Sequence, residues 1–495
     1  MTTVLGIDLG TQHLKVVFLD TASGDIVASA QAPLELTQGA DGTAEQQAHW
    51  WTEALGVALA QIDTRIRSSA VAIGVSGQQH GFVPLDAAGN VLAPVKLWCD
   101  TSTAPEAAAL NAAFGGEARC IEELGNPILP GYTASKVRWF KENQLALYER
   151  MATILLPHDY LNFYLTGERC MEAGDASGTG FFDVRARAWS RRMLQVIDPE
   201  RDLAACLPAV AIDNEVIGKL LPKVASALGL PVGISVSIGG GDNMMGAIGT
   251  GNVRPGTVTM SLGTSGTVYA YAENPIVDPK GNIAAFCSST GGWLPLLCTM
   301  NCTVSTELFR GLLGVDIGAF EALVSVAPCG SDGLITVPFF NGERTPNLPN
   351  AKGIIVGIDS HNLVAGNLLR SQVEGATFAL RFGIDELAAL GRPAEEIVLT
   401  GGGARSATWR QIVADVCGVP VVVPASDEGA ALGAALQAMA LIDGERDLAA
   451  LVEVFVRRDD SQGCMPNTAG VRDYSDVYQS YQRAVAQAIA LYGDH

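Results

Sequence analysis

Leu5-Gly6-Ile7-Asp8-Leu9-Gly10-Thr11 lies at the start of the chain, and Val258-Thr259-Met260-Ser261-Leu262-Gly263-Thr264-Ser265-Gly266 repeats its pattern in the second half. Each is a short apolar strand that runs into Leu-Gly-Thr. Each leads on into a second β-branched or aromatic run, Val16-Val17-Phe18 and Thr267-Val268-Tyr269. The two read as β-hairpins of one design. A glycine lets an anion come close to the backbone, and the threonine adds a hydroxyl beside free amide hydrogens that form a concave anion site. Such turns in duplicate predict a polyphosphate held between two related α/β halves.

Length and composition fit that expectation. A chain of 495 residues is long enough for about three ordinary domains or two large ones. With 48% apolar and 17% charged residues, it reads as well-packed and globular. The formal charge of −20 disfavours nucleic acid and anionic membrane as partners, so any phosphate is bound locally by backbone, hydroxyls and metal. Ten cysteines are scattered without a C-x-x-C pair, and Cys298 and Cys302 have no histidine cluster beside them. They read as reduced thiols of a cytoplasmic protein. Asp8 breaks the only early apolar stretch, so no signal peptide is expected. The uncharged segment 281–306 is rich in Gly, Ser and Thr and reads as strand and loop, not as a membrane span.

The pattern places a helix over about 50–66, with Trp50 and Trp51 in the core, and a buried strand over 71–75. A helix is expected over 134–142. The strand Ile234–Ile238 breaks into Gly239-Gly240-Gly241-Asp242, which marks a boundary region. Further on, the strand Glu396–Thr400 runs into Gly401-Gly402-Gly403-Ala404-Arg405. A small-residue helix follows over about 429–441, and a tail helix over 474–492 packs back on the body.

Four features carry chemistry, each with a plainer reading beside it. Asp8, two residues before Gly10, makes electrostatic sense beside a phosphate turn if Mg²⁺ lies between them; otherwise it caps the turn. Ser261 stands at the matching place in the second copy, so only one half carries the acid. Asp242 suits a general base for a hydroxyl nucleophile, and equally a helix N-cap. Ser76-Gly77-Gln78-Gln79-His80-Gly81 closes a strand with donors and acceptors that suit a polyhydroxylated ligand, although a lone histidine is usually structural. Gly401-Gly402-Gly403 admits a flat adenine or ribose, or is a plain tight turn. Neither G-x-G-x-x-G nor a Walker pattern is present.

Together these residues resemble the FGGY family of carbohydrate kinases. The family's first signature is matched by Gly131-Tyr132-Thr133-Ala134-Ser135-Lys136-Val137-Arg138-Trp139-Phe140-Lys141-Glu142-Asn143. Its second runs from Gly353-Ile354-Ile355-Val356-Gly357-Ile358 through Asn367-Leu368 to Ser371-Gln372-Val373-Glu374, with Gln372 in place of a small or aliphatic residue. Gly342-Glu343-Arg344-Thr345-Pro346 is a further family block. The resemblance implies the two-lobed α/β ATPase fold of actin, hexokinase and Hsp70, with duplicated ribonuclease H-like domains over 1–245 and 246–495 and a cleft between the lobes. Within the family, Gln78-Gln79-His80-Gly81 is similar to the sugar motif of xylulose kinases. That implies ATP-dependent conversion of D-xylulose to D-xylulose 5-phosphate, with another ketose or polyol as the alternative. The resemblance assigns Asp242 as general base and Asp8 as essential, both near Mg²⁺. It places sugar on Gln79, His80, Asp100, Asp242 and Asn243, and ATP on Gly10, Thr11, Gly263, Thr264, Gly402 and Gly403. A homodimer is compatible with it. One departure stands out: Trp98-Cys99-Asp100-Thr101-Ser102 replaces the Trp-Asn-Asp-Gly-Arg of many bacterial relatives.

Overall fold

The computed structural model describes residues 1–211, 214–444 and 446–493. It resolves into two compact units. The first comprises Met1–Val253, Ala272–Leu294 and Glu428–Val456, and the second Arg254–Tyr271, Pro295–Asp427 and Arg457–His495.

In the first unit the strands of the main sheet are β1 (Thr3–Leu9), β2 (His13–Asp20), β3 (Ile26–Pro33), β4 (Ala70–Gly77), β5 (Val216–Lys219), β6 (Ser235–Ser237) and β7 (Gly240–Gly241). They form one sheet in the order β5-β6-β4-β1-β2-β3, with β7 beside β4. The pairs β1/β2 and β2/β3 are antiparallel, whereas β4 is parallel to β1, β6 and β7. Val4, Leu5, Ile7 and Leu9 of β1 are all fully buried, as a central strand covered on both faces requires.

Four helices matter to the site from within this unit: α1 (Ala48–Ala60), α2 (Thr133–Asn143), α3 (Pro157–Thr166) and α4 (Asp242–Gly249). Trp51 and Leu55 of α1 join Leu161 and Leu165 of α3 in the sheet's core, while Trp50 stays half-exposed. The expected break at 245/246 falls inside α4, and the two units are not contiguous halves. The reason is a fifth helix from late in the chain, α5 (Gly429–Asp443), which lies on the backbone of β1 and β4. A Cβ on Gly6 would stand 2.0 Å from the Ala431 carbonyl oxygen, and one on Gly74 1.9 Å from that of Ala434. Gly249 and Gly433 let α4 and α5 touch as closely. Small residues on both sides thus fix this helix to the first sheet.

The second unit repeats the arrangement. Its main-sheet strands β8 (Thr257–Leu262), β9 (Gly266–Ala270), β10 (Leu296–Thr299), β11 (Glu396–Thr400) and β12 (Val421–Val422) lie in the order β10-β9-β8-β11-β12. The order and the strand senses match β3-β2-β1-β4-β6 of the first unit. The expected hairpin duplication is therefore a duplicated sheet. The tail helix Thr468–Tyr492 packs back on this unit: Tyr474, Tyr478 and Tyr481 surround Phe378, and the Tyr474 hydroxyl joins the Arg370–Glu374 pair. All ten cysteines are free thiols. Among the described residues no helix is long and apolar enough to cross a membrane.

Candidate active site

Parallel pairing brings the two expected acids to one end of the first sheet. Asp8 of β1 is in register with Ser76 of β4, and Ser76 with Gly240 of β7; Asp242 follows as the first residue of α4. The Ser76 hydroxyl donates to Asp8 Oδ1 at 2.9 Å. Burial pushes the Asp8 carboxyl above its usual range, against the Ser76 hydrogen bond and the charge of Lys15. Asp242 is pushed up to about 7, first by burial and then by the negative fields of Asp8 and Asp175. It is not an N-cap: that position is Gly241, and no side chain caps this helix. Its Oδ1 instead accepts from the Asn243 backbone N–H (2.8 Å) and side-chain amide (3.0 Å). A carboxyl poised near neutrality suits a general base. Two carboxylates at strand ends on either side of β4 are also the sparse donor set that Mg²⁺ takes when phosphates and water complete its shell. Among the described residues no three His, Cys, Asp or Glu side chains form an all-protein cage.

The sugar-motif residues sit beside this pair. Asn243 Nδ2 also donates to Gln79 Oε1 at 3.0 Å, and Gln79 Nε2 is buried with no hydrogen-bond partner. The bare backbone of Gly241 lies against the Gln79 side chain, where a Cβ would come within 2.7 Å. His80 has φ +64, a left-handed conformation unusual for a residue with a side chain. Its ring centroid lies 4.9 Å from that of Tyr132 and 5.9 Å from that of Phe286.

Other expected residues are already engaged by the chain itself. Asp100 is fully buried. Its Oδ2 accepts from Lys96 Nζ (3.1 Å) and the Ala44 N–H (2.8 Å), and its Oδ1 from the Ser102 N–H (3.1 Å) and hydroxyl (2.6 Å). With two bonds on each oxygen, it pins the loop around it. In the first turn the Gly10 N–H is not free, since it donates to the His13 carbonyl at 3.0 Å. The Thr11 hydroxyl donates to Gln78 Oε1 and accepts from Trp98 Nε1, each at 2.9 Å. This turn is braced by its own donors.

The second unit assembles its glycines in the matching place. Ser261 of β8 is in register with Thr400 of β11, the same relation that Asp8 has to Ser76. Gly401, at φ +84, packs its backbone on Leu262 and Gly263, where a Cβ would stand 2.6 Å from the Leu262 carbonyl carbon. Thr303 ties the turn by donating through both N–H and hydroxyl to the Gly263 carbonyl, each at 2.9 Å. Thr264 and Gly402 remain exposed, and open space surrounds the Gly402 Cα where a Cβ would be.

Two supports escape a reading of the sequence. Gln437 of α5 is fully buried. Its Oε1 accepts from the Gly239 N–H (2.8 Å) and the Ser237 hydroxyl (2.9 Å), and its Nε2 donates to the Gly239 carbonyl (3.0 Å). It thus holds the turn three residues before Asp242, where Gly239 has φ +73. The second is a buried charge cluster: His158 Nδ1 lies 2.6 Å from Asp175 Oδ2, and Nε2 lies 3.0 Å from Asp159 Oδ1. Burial alone would lower the His158 pKa, but the two carboxylates raise it to about 9. Its ring packs under Gly239 and its backbone under Gly77. Polar residues in the otherwise apolar start of α3 are the only trace of this in the sequence.

Both units, then, present glycine-rich strand ends, and one adds paired acids. Residues 3–249 match the N-terminal domain of the FGGY family of carbohydrate kinases, and residues 258–442 match its C-terminal domain. The chain belongs to this family. It is a carbohydrate kinase, with the two-domain α/β fold of actin and hexokinase. A protein of Haemophilus influenzae named xylulose kinase is 44% identical over 490 residues, covering 98% of this chain and 99% of that one. Among solved structures, one described as a xyloylose kinase from Brucella ovis superposes with a TM-score of 0.90 at 29% identity, covering 99% of this chain and 100% of its own. A xylulose kinase from Bifidobacterium adolescentis gives 0.82 at 32% identity, covering 98% and 99%. As an FGGY kinase the chain phosphorylates a sugar.

Proposed function

We propose that this FGGY kinase transfers the γ-phosphoryl group of ATP to the terminal hydroxyl of D-xylulose, giving D-xylulose 5-phosphate and ADP. The full-length likeness to proteins named xylulose kinase favours this acceptor, as does the Gln78-Gln79-His80-Gly81 stretch. The observation that carries the mechanism is Asp242, with a pKa of about 7 at a strand end beside Gln79 and Asn243. Gln79, His80 and Asn243 orient the sugar, and the orphaned Gln79 amide N–H supplies a donor for a sugar oxygen.

In the reaction, the terminal hydroxyl oxygen attacks the γ-phosphorus while Asp242 takes its proton. The bond from phosphorus to the β-phosphate oxygen breaks, and ADP leaves with that electron pair. The Gly10-Thr11 and Gly263-Thr264 turns take the phosphates, and Gly402-Gly403 takes the nucleoside. Asp8 and Asp242 would hold Mg²⁺, which when bound offsets charge on the transferring phosphates. Positioning and charge stabilisation carry most of the rate in phosphoryl transfer, and the general base adds roughly 10²–10⁴-fold.

Cys99, Thr101 and Ser102 around Asp100 depart from the pattern of many relatives, which keeps another ketose or polyol as the second reading. A coupled ADP-release assay across ketopentoses, deoxy-sugars and sugar alcohols tests the choice. The expected result is the highest kcat/KM with D-xylulose. Preference for a polyol over every ketopentose would overturn it.

A further inference from the structure

His80 combines a backbone conformation that costs energy with a position in the proposed sugar site, so something must hold it there. The first turn of α2 does so at three points. Lys136, fully buried, donates from Nζ to the His80 carbonyl (2.8 Å) and to the Gly131 carbonyl (2.7 Å). The Thr133 hydroxyl donates to the same His80 carbonyl at 3.1 Å. The Ala134 N–H donates to the Thr179 carbonyl at 2.7 Å. These bonds fix the three segments that enclose the imidazole. One is the His80 backbone itself. The second is Gly131-Tyr132, whose aromatic ring lies beside it. The third is Gly178-Thr179, where a Cβ on Gly178 would stand 1.9 Å from His80 Cε1.

Burying an ammonium group is expensive unless its hydrogen bonds are well made. An uncharged residue could fill the same volume without that cost. The cost makes sense if it sets the geometry of a neighbour that needs it, and His80 is that neighbour.

We propose that Lys136 is a sugar-positioning residue: with Thr133 it clamps the His80 carbonyl, holding the backbone in its left-handed conformation and the imidazole in its slot between Tyr132 and Gly178. In this role Lys136 acts on the sugar through the His80 carbonyl it holds, not on the reacting atoms. The inference rests on the reading of His80 as a sugar contact.

The test compares Lys136→Met, Thr133→Val and His80→Ala, singly and with each clamp variant in the His80→Ala background, by steady-state kinetics in both substrates. Lys136→Met should raise KM for the sugar about tenfold, the size that follows from losing a charged hydrogen bond. Thr133→Val, close in shape and safer for folding, should raise it by about two- to fivefold, the scale of a lost neutral hydrogen bond. Both should leave KM for ATP within about twofold, since loss of one positioning contact is confined to the substrate it orients. In the His80→Ala background neither substitution should add a further loss. A clamp effect of undiminished size in that background, or an equal rise in KM for ATP, would make Lys136 a general structural residue and overturn the proposal. If His80→Ala itself leaves the sugar KM unchanged, the sugar-site reading fails along with it, an outcome distinct from the other two.

Discussion

Asp8 and Ser261 show what one residue can decide in a duplicated fold. They occupy equivalent places, each paired across a parallel strand junction with a hydroxyl residue, Ser76 or Thr400. Of the two, only the aspartate adds its negative field to the burial that raises the pKa of a second carboxyl, that of Asp242. A general base acts in its ionised form. kcat/KM for the sugar should therefore climb as pH rises through about 7 and level off above it. A profile flat from pH 5 to 8 on the scale of such a titration would remove Asp242 from that role. Asp100 teaches the converse. The sequence offers a carboxylate beside a tryptophan, but not its direction. That direction is set by Lys96, Ser102 and the Ala44 amide, the last a contact 56 residues away in the chain.

At the scale of elements, local turn chemistry carried well. Both Leu-Gly-Thr hairpins, the strand Glu396–Thr400 and the tail helix stand where apolar spacing places them, because hairpins and amphipathic helices are written in neighbouring residues. What did not show was the partner of α5. Its run of small residues predicts a helix, yet the surface it covers is defined by Gly6 and Gly74, which a sequence reads only as weak points in strands. The contact makes an opposing pair of predictions. Gly74→Ala should destabilise the protein by about 1–3 kcal/mol or more, because the new methyl meets the rigid backbone of α5. Gly56→Ala, inside α1 with open space at its Cβ position, should stabilise it by about 0.5–1 kcal/mol. Urea unfolding of both variants checks the signs; equal shifts would contradict this packing.

For the whole molecule, the duplicated sheets were legible in outline, whereas the path of the chain between them was not. Each unit is assembled from three separate stretches, and long-range packing of that kind has no local signature. Residues 1–245 alone would lack both 272–294 and α5, leaving the backbone faces of β1 and β4 uncovered. That fragment should show no cooperative thermal transition by circular dichroism; a sharp transition like that of the full chain would contradict the unit boundaries. The proposed reaction requires the acids of the first unit and the phosphoryl group to meet, with Asp242 taking the proton. The most direct test is Asp242→Asn. The expected result is a loss of roughly 10²–10⁴-fold in kcat, the contribution of a general base, with sugar binding by calorimetry retained. Turnover close to that of the unaltered enzyme would contradict it.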